Sequence, residues 1–225
     1  MRPHPGSRGP LSTALALAGT CLLVASVSAC SLMGRAGEGP LTSESRPVTG
    51  FTRVDASNGI GVTVRIGSEN SVEVSAQANI LPIIATTVDG DTLKIRSTEG
   101  FNTPSGVGVT VVISALAGLT LSGGSRGVIE NLATDQVEIA LDGGANLTAT
   151  GTATAITLAC SGGAGADLRA LASERVSIQA SGGANATVRA SAEVTGSASG
   201  GASITVLGDA VLNVETSGGA SVTRG

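Results

Sequence analysis

The sequence predicts an all-β protein, a parallel β-helix or β-solenoid with Gly-Gly corners, preceded by a strand- and hairpin-rich N-terminal half. Three observations carry this expectation. Glycine pairs begin at Gly123, Gly143, Gly162, Gly182, Gly200 and Gly218, at intervals of 20, 19, 20, 18 and 18 residues, and a near-constant period of that length marks stacked repeats. Aliphatic residues alternate in step with the pairs: Val137, Ile139 and Leu141 precede one, Ile156, Leu158 and Cys160 the next. The chain also has 33 glycines but only 1% aromatic residues. The interior must then be thin and filled by Val, Ile, Leu and Ala.

At the N-terminus, Arg2 and Arg8 precede an uncharged apolar run, Leu11 to Ser26, in the layout of a signal peptide. The run is short for a membrane span. It ends in Val27-Ser28-Ala29-Cys30, which resembles the lipobox of bacterial lipoproteins. That resemblance implies cleavage before Cys30, with Val27, Ser28 and Ala29 read by the peptidase, and acyl (palmitate-type) chains on the Cys30 thiol and its new amino group. Several acyl chains on one residue anchor a protein stably without a spanning helix. Residues 1–29 are expected to be the leader, and 30–47, rich in Gly, Pro, Ser and Glu, a lipidated flexible tether. The expected location is outside the cytoplasm, on the cell membrane or an outer membrane.

Residues 48–225 form the expected head domain, divided into a strand-rich first half, 48–121, and the Gly-Gly repeats, 122–225. In the first half, Ile60, Val62, Val64 and Ile66 alternate, Gly67 to Asn70 supply a turn, and Val72 and Val74 resume, which predicts a hairpin. One helical turn is expected near Pro82, and Asp89-Gly90-Asp91 turns the chain into Leu93 and Ile95. In the second half each turn reads strand, corner, strand. The corners comprise Gly123 and Gly124, Gly143 and Gly144, Gly162 and Gly163, Gly182 and Gly183, Gly200 and Gly201, and Gly218 and Gly219. A tight corner needs positive φ or a close approach that a Cβ opposes. No turn can bury its apolar side alone, so stability must come from neighbours.

Phe51 to Val64, FTRVDASNGIGVTV, followed by repeated SGGAN and SGGAS corners, resembles the putative auto-transporter adhesin, head GIN domain family of bacteria. The likeness covers essentially all of 48–225 and implies strands leading into a β-helix. It brings no catalytic residues.

Candidate chemistry lies outside the core. Positions after the corners stack into two outward columns, Asn146, Gly165, Asn185, Ser203 and Ser221 in one, Thr148, Asp167, Thr187, Thr205 and Thr223 in the other. They form a polar stripe of regular spacing, open to two readings: a recognition surface, or polar residues laddering on exposed strands. Asp142 replaces the corner serine found at 122, 161, 181, 199 and 217, and reads as a corner cap. Gly162 to Leu168 matches the calcium nonapeptide pattern once, but the other corners lack the Asp. Cys160 falls on the inward parity as a small hydrophobe.

Composition excludes several classes. His4, in the leader, is the only histidine, so the mature chain has no imidazole for acid-base work or metal ligation. Stacking platforms for sugars or single-stranded nucleic acid need aromatic faces, and Phe51 and Phe101 are the only two. Net charge is −4, and about −6 without the leader arginines, against phosphate-backbone binding. No cofactor, metal or nucleic acid is expected. The expected role is an envelope lipoprotein, not an enzyme, presenting a solenoid surface to an unknown surface or protein ligand. A structural lipoprotein without a dedicated ligand is the alternative, and a polysaccharide-active enzyme a weaker one, for want of placed carboxylates in a deep cleft. The terminal coil, ending at Arg224, offers an edge for self-association.

Overall fold

Alternating aliphatic and polar residues favour strands that bury one side, and almost every such stretch is a strand in the computed structural model, which describes residues 34–225. In chain order these are β1 (Arg35–Ala36), β2 (Leu41–Arg46), β3 (Arg53–Ala56), β4 (Gly61–Ile66) and β5 (Ser71–Gln77). A 3-10 turn at Leu81–Ile83 with Pro82 in its first turn leads to β6 (Ile84–Asp89), β7 (Thr92–Ser97), β8 (Phe101–Asn102), β9 (Gly108–Ile113) and β10 (Gly118–Leu121). The long strands β11 (Arg126–Leu141), β12 (Asn146–Cys160), β13 (Gly165–Ala180) and β14 (Asn185–Ala198) follow, then β15 (Ser203–Leu207), β16 (Val211–Thr216) and β17 (Ser221–Arg224). The fold is all-β, with a solenoid of about five turns.

Two walls enclose the core. One runs β2, β5, β9, β4, then the first halves of β11 to β14, then β15 and β17; the other runs β6, β7, β3, β10, then the second halves of β11 to β14, and β16. Pairing is parallel except for β2 with β5, β5 with β9, and β6 with β7. Inward residues stack in columns: Ala145, Ala164, Ala184 and Ala202 are all essentially inaccessible, beside Leu147, Ala166, Ala186 and Ile204. Small and branched side chains fill most of the thin interior, to which Phe51 adds a buried aromatic ring. Ser125 occupies the alanine column with its hydroxyl buried and unpartnered.

The paired glycines line up. Gly163 N donates to Gly143 O at 2.6 Å, Gly183 to Gly162, Gly201 to Gly182 and Gly219 to Gly200 at 2.7 Å each. The two members of a pair differ in kind. The first has φ of 67° to 70° from Gly143 onward, and a Cβ on Gly182 would lie 2.8 Å from the Gly162 oxygen. A Cβ on Gly183 would lie 3.6 Å away, in ordinary contact. Ser57-Asn58-Gly59-Ile60 makes the same corner one level earlier, with φ of 66° at Asn58 and Ser122 N bonded to Ala56 O.

Opposite the glycine corner each long strand bends a second time, at register shifts between Ile129 and Leu132, Thr148 and Thr150, and Leu168 and Ala172. All the irregularity of the repeat interval is absorbed there. Between β11 and β12 the partner offset is 20 residues at Ile129↔Ala149 and 19 at Leu132↔Gly151; between β13 and β14 it is 20 at Leu168↔Val188 and 18 at Arg175↔Glu193. The glycine corners therefore stay stacked while turn length varies.

Two sequence expectations are corrected. The predicted hairpin of β4 and β5 does not form: β9 lies between them, parallel to β4 (Val62↔Val109) and antiparallel to β5 (Val74↔Val109). A directly paired hairpin and one split by an inserted strand show the same alternation, so periodicity could not separate them. The tether expected over 30–47 is structured within the described residues. Arg35–Ala36 pairs with β8 and Leu41–Arg46 with the edge of β5. This strand is held by main-chain pairing and is almost wholly exposed, so it leaves no apolar pattern to read.

A candidate interaction face

The wall containing β12 to β15 and β17 presents the two polar columns. Parallel pairing places Asn146↔Gly165↔Asn185↔Ser203↔Ser221 in one row and Thr148↔Asp167↔Thr187↔Thr205↔Thr223 in the next. Adjacent strands are about 4.8 Å apart, so these groups repeat at that spacing along the solenoid. The rows continue beyond the Gly-Gly repeats. Thr148 pairs with Val128, Val128 with Thr63 and Thr63 with Thr110. Thr63 and Thr110 were not singled out from the sequence, because their strands enter the stack out of chain order; the Asn58-Gly59 corner was the signal that could have placed Thr63.

The columns differ in how their polar groups are used. Asn146 and Asn185 each donate their amide to a corner carbonyl two residues back, Gly144 O at 2.9 Å and Gly183 O at 3.1 Å, which fixes the side chains, and Asn146 Oδ1 lies over Gly165, where a Cβ would come within 2.6 Å of it. Ser221 Oγ donates to Ser203 Oγ at 3.4 Å. Asp167 accepts from Arg169 Nε at 2.7 Å. No side-chain hydrogen bond within the described residues engages the hydroxyls of Thr148, Thr187, Thr205 or Thr223. These are donor-acceptor groups set at fixed positions along paired strands.

Where Gly165 interrupts the first row, a dimple of about 250 Å³ opens between Asn146 and Thr148 on one side and Asn185 and Thr187 on the other, floored by Leu147 and Ala166. A larger open groove, about 730 Å³, lies past the second bend and is lined by Asp135, Thr152, Thr154, Ser173, Glu174 and Ser191 among others. Its serines are engaged, whereas Thr152, Thr154 and Asp135 make no side-chain hydrogen bond among the described residues. Ser173 Oγ donates to Arg189 O at 2.7 Å and Ser191 Oγ to Ser173 O at 3.3 Å, and Glu174 is 3.4 Å from Arg175. What sets the stripe apart from the groove is that Thr148, Thr187, Thr205 and Thr223 stand in one register-matched row.

Other sequence-selected residues fall as follows. Asp142 Oδ1 accepts from Ser161 Oγ at 2.5 Å, and that bond together with the Gly143 N–H holds its carboxyl below the usual range. It ties two successive corners together. Cys160 is buried, and desolvation pushes its thiol from an ordinary value of 9.0 up to about 11. Among the described residues no group of three or more His, Cys, Asp or Glu is arranged to hold a metal, and no helix is long and apolar enough to cross a membrane. Val27, Ser28, Ala29 and Cys30 lie outside the described residues.

The family model described as "Putative auto-transporter adhesin, head GIN domain" matches residues 50–210. The chain belongs to this family. Solved structures share its fold. A "putative adhesin" from Bacteroides fragilis aligns at a TM-score of 0.70 and 15% identity, covering 84% of this chain and 99% of that one. A "putative adhesin" from Parabacteroides distasonis aligns at 0.53 and 18% identity over 85% and 99%. A "putative lipid binding protein" from the same organism aligns at 0.51 and 12% identity over 84% and 98%. At such identities the GIN-domain likeness is one of fold alone. No curated protein matches the chain.

Proposed function

We propose that this GIN domain is the head of an exported envelope lipoprotein and that it adheres through the outer face of the wall built by β12 to β15 and β17. The observation that carries the reading is the row of Thr148, Thr187, Thr205 and Thr223, register-matched and with hydroxyls unengaged by the described residues. Rigid strands position such groups without the entropy that loops would lose on binding. The surface suits a flat, repeating polar partner. Aromatic stacking plays no part in it, and the amide oxygens of Asn146 and Asn185 flank a dimple sized for one small group. Membership of an adhesin-named family agrees with an interaction role and not with catalysis. Attachment to the membrane is assigned to acyl chains on Cys30, with Val27, Ser28 and Ala29 as the recognition residues.

Thr187→Lys/Thr205→Lys tests the face, since both positions point outward. Attachment of the purified protein to abiotic and cell-derived surfaces is expected to fall at least tenfold while the far-UV spectrum and melting temperature stay unchanged. Undiminished attachment would leave a structural envelope lipoprotein as the better reading. Cys30→Ser tests the anchor separately: the protein should move from the membrane pellet to the soluble fraction.

A further inference from the structure

The two ends of the solenoid are built differently. At the first end β2 pairs only with β5 among the described residues, and the β2 residues at the core register, opposite Ala76, Val74 and Val72, are Thr42, Glu44 and Arg46. Arg46 Nη1 lies 3.2 Å from Glu44 Oε1, and Arg46 Nη2 donates to Leu81 O at 3.1 Å. On the β2 wall the core therefore ends under a polar strand with an internal ion pair, while on the other wall β6 ends it with Ile84, Thr86 and Val88. At the other end β16 pairs only with β14 and β17 only with β15 among the described residues. Here the core register holds Leu212, Val214, Ala220 and Val222, each only partly buried, whereas Val194, Ala202 and Ile204 one level in are 1% exposed or less. Arg224, at the register of Val206, turns aside and donates to Gly208 O at 3.2 Å and Ala210 O at 2.7 Å. An aliphatic patch is left between two strand edges.

We infer that the level formed by β16 and β17 is the contact surface for a second copy of this chain, joined tail to tail about a two-fold axis. A two-fold axis in the plane of that level sets each free edge against an edge of the partner copy running the opposite way, so every new ladder is antiparallel, the more stable pairing. The same operation brings the two aliphatic patches together, and a self-complementary surface of this kind closes on itself. Charge permits it: β16 and β17 carry one acid, Glu215, and one base, Arg224, so the apposed levels meet at zero net charge. The head-to-tail alternative buries Glu44 and Arg46 against Leu212 and Val222, and the desolvation of that pair opposes it. Association therefore stops at two copies and does not run on into a filament.

Sedimentation velocity of the full chain in mild detergent, over a hundredfold concentration range, tests this. A monomer–dimer equilibrium without larger species is expected. Leu212→Lys and Val222→Lys, each at a partly exposed position, should weaken dimerisation at least tenfold with the β spectrum retained. Glu44→Val/Arg46→Val should produce species beyond the dimer. Hydrogen exchange on the unmodified protein supplies a readout independent of any variant: amides of β16 and β17 should become better protected as concentration rises, those of β2 should not. A monomer at every concentration, a dimer indifferent to Leu212→Lys and Val222→Lys, or β16 and β17 protection independent of concentration would each overturn the inference.

Discussion

A single Cβ separates the roles of the two glycines at each corner from Gly143 onward, where only the first has positive φ. An alanine at 182 must adopt φ near 70° and brings its methyl to 2.8 Å from a carbonyl oxygen, whereas at 183 neither condition applies. Left-handed backbone costs a non-glycine residue about 1–2 kcal/mol, and the close approach adds to it. Gly182→Ala should then destabilise the protein by about 2–3 kcal/mol. Gly183→Ala should be neutral or stabilise by up to about 1 kcal/mol through the unfolded state. Denaturant titration of the two variants checks the contrast. The sequence marked both positions as corners but could not rank them, because the distinction depends on the carbonyl of the turn below. Cys160 was legible from parity alone. Its folded-state pKa, about 11, lies above the ordinary 9.0, so the protonated thiol's contribution is complete below pH 9 and disappears as pH rises towards 11. The melting temperature should fall across that window, and the fall should be shallower in Cys160→Ala.

Among elements, the long strands with a glycine corner at each end were readable because corner chemistry and alternation coincide there. The capping strand β2 was not. Its six residues are mostly exposed, it pairs on one side only, and its core-register positions are polar by necessity, since they terminate the core. A Gly, Pro, Ser and Glu composition reads the same whether the segment is free or laid along an edge. Elements with few buried contacts open most readily. Amides of β2 should accordingly exchange fastest among the strands of its wall, well ahead of β9 and β4, in hydrogen-exchange mass spectrometry.

Across the whole molecule, winding in the second half followed from the sequence, and the arrangement of the first half did not. The chain enters at β3 and β4 and later places β7 and β9 on one side of them, β10 and β11 on the other. Neighbours in space are thus far apart in sequence, and no constant period can appear. The polar stripe was legible over β12 to β17 for the same reason that its extension to Thr63 and Thr110 was not. Ion pairs concentrate in this first half, where Arg53 meets both Asp91 and Glu138, and Arg96 meets Asp55. All are at the surface, where each contributes at most about 1 kcal/mol. They help register strands that lack the glycine corners' regularity.

The second bend has a consequence for how such a chain can change over time. Because residues gained or lost between 168 and 175 shift partners only locally, while the corners at Gly182 and the columns beside them hold station, that seam can accept added segments without disturbing the polar columns. New loops grafted there would project from the edge opposite the glycine corners, so a lineage could add a contact surface while the corners stay stacked.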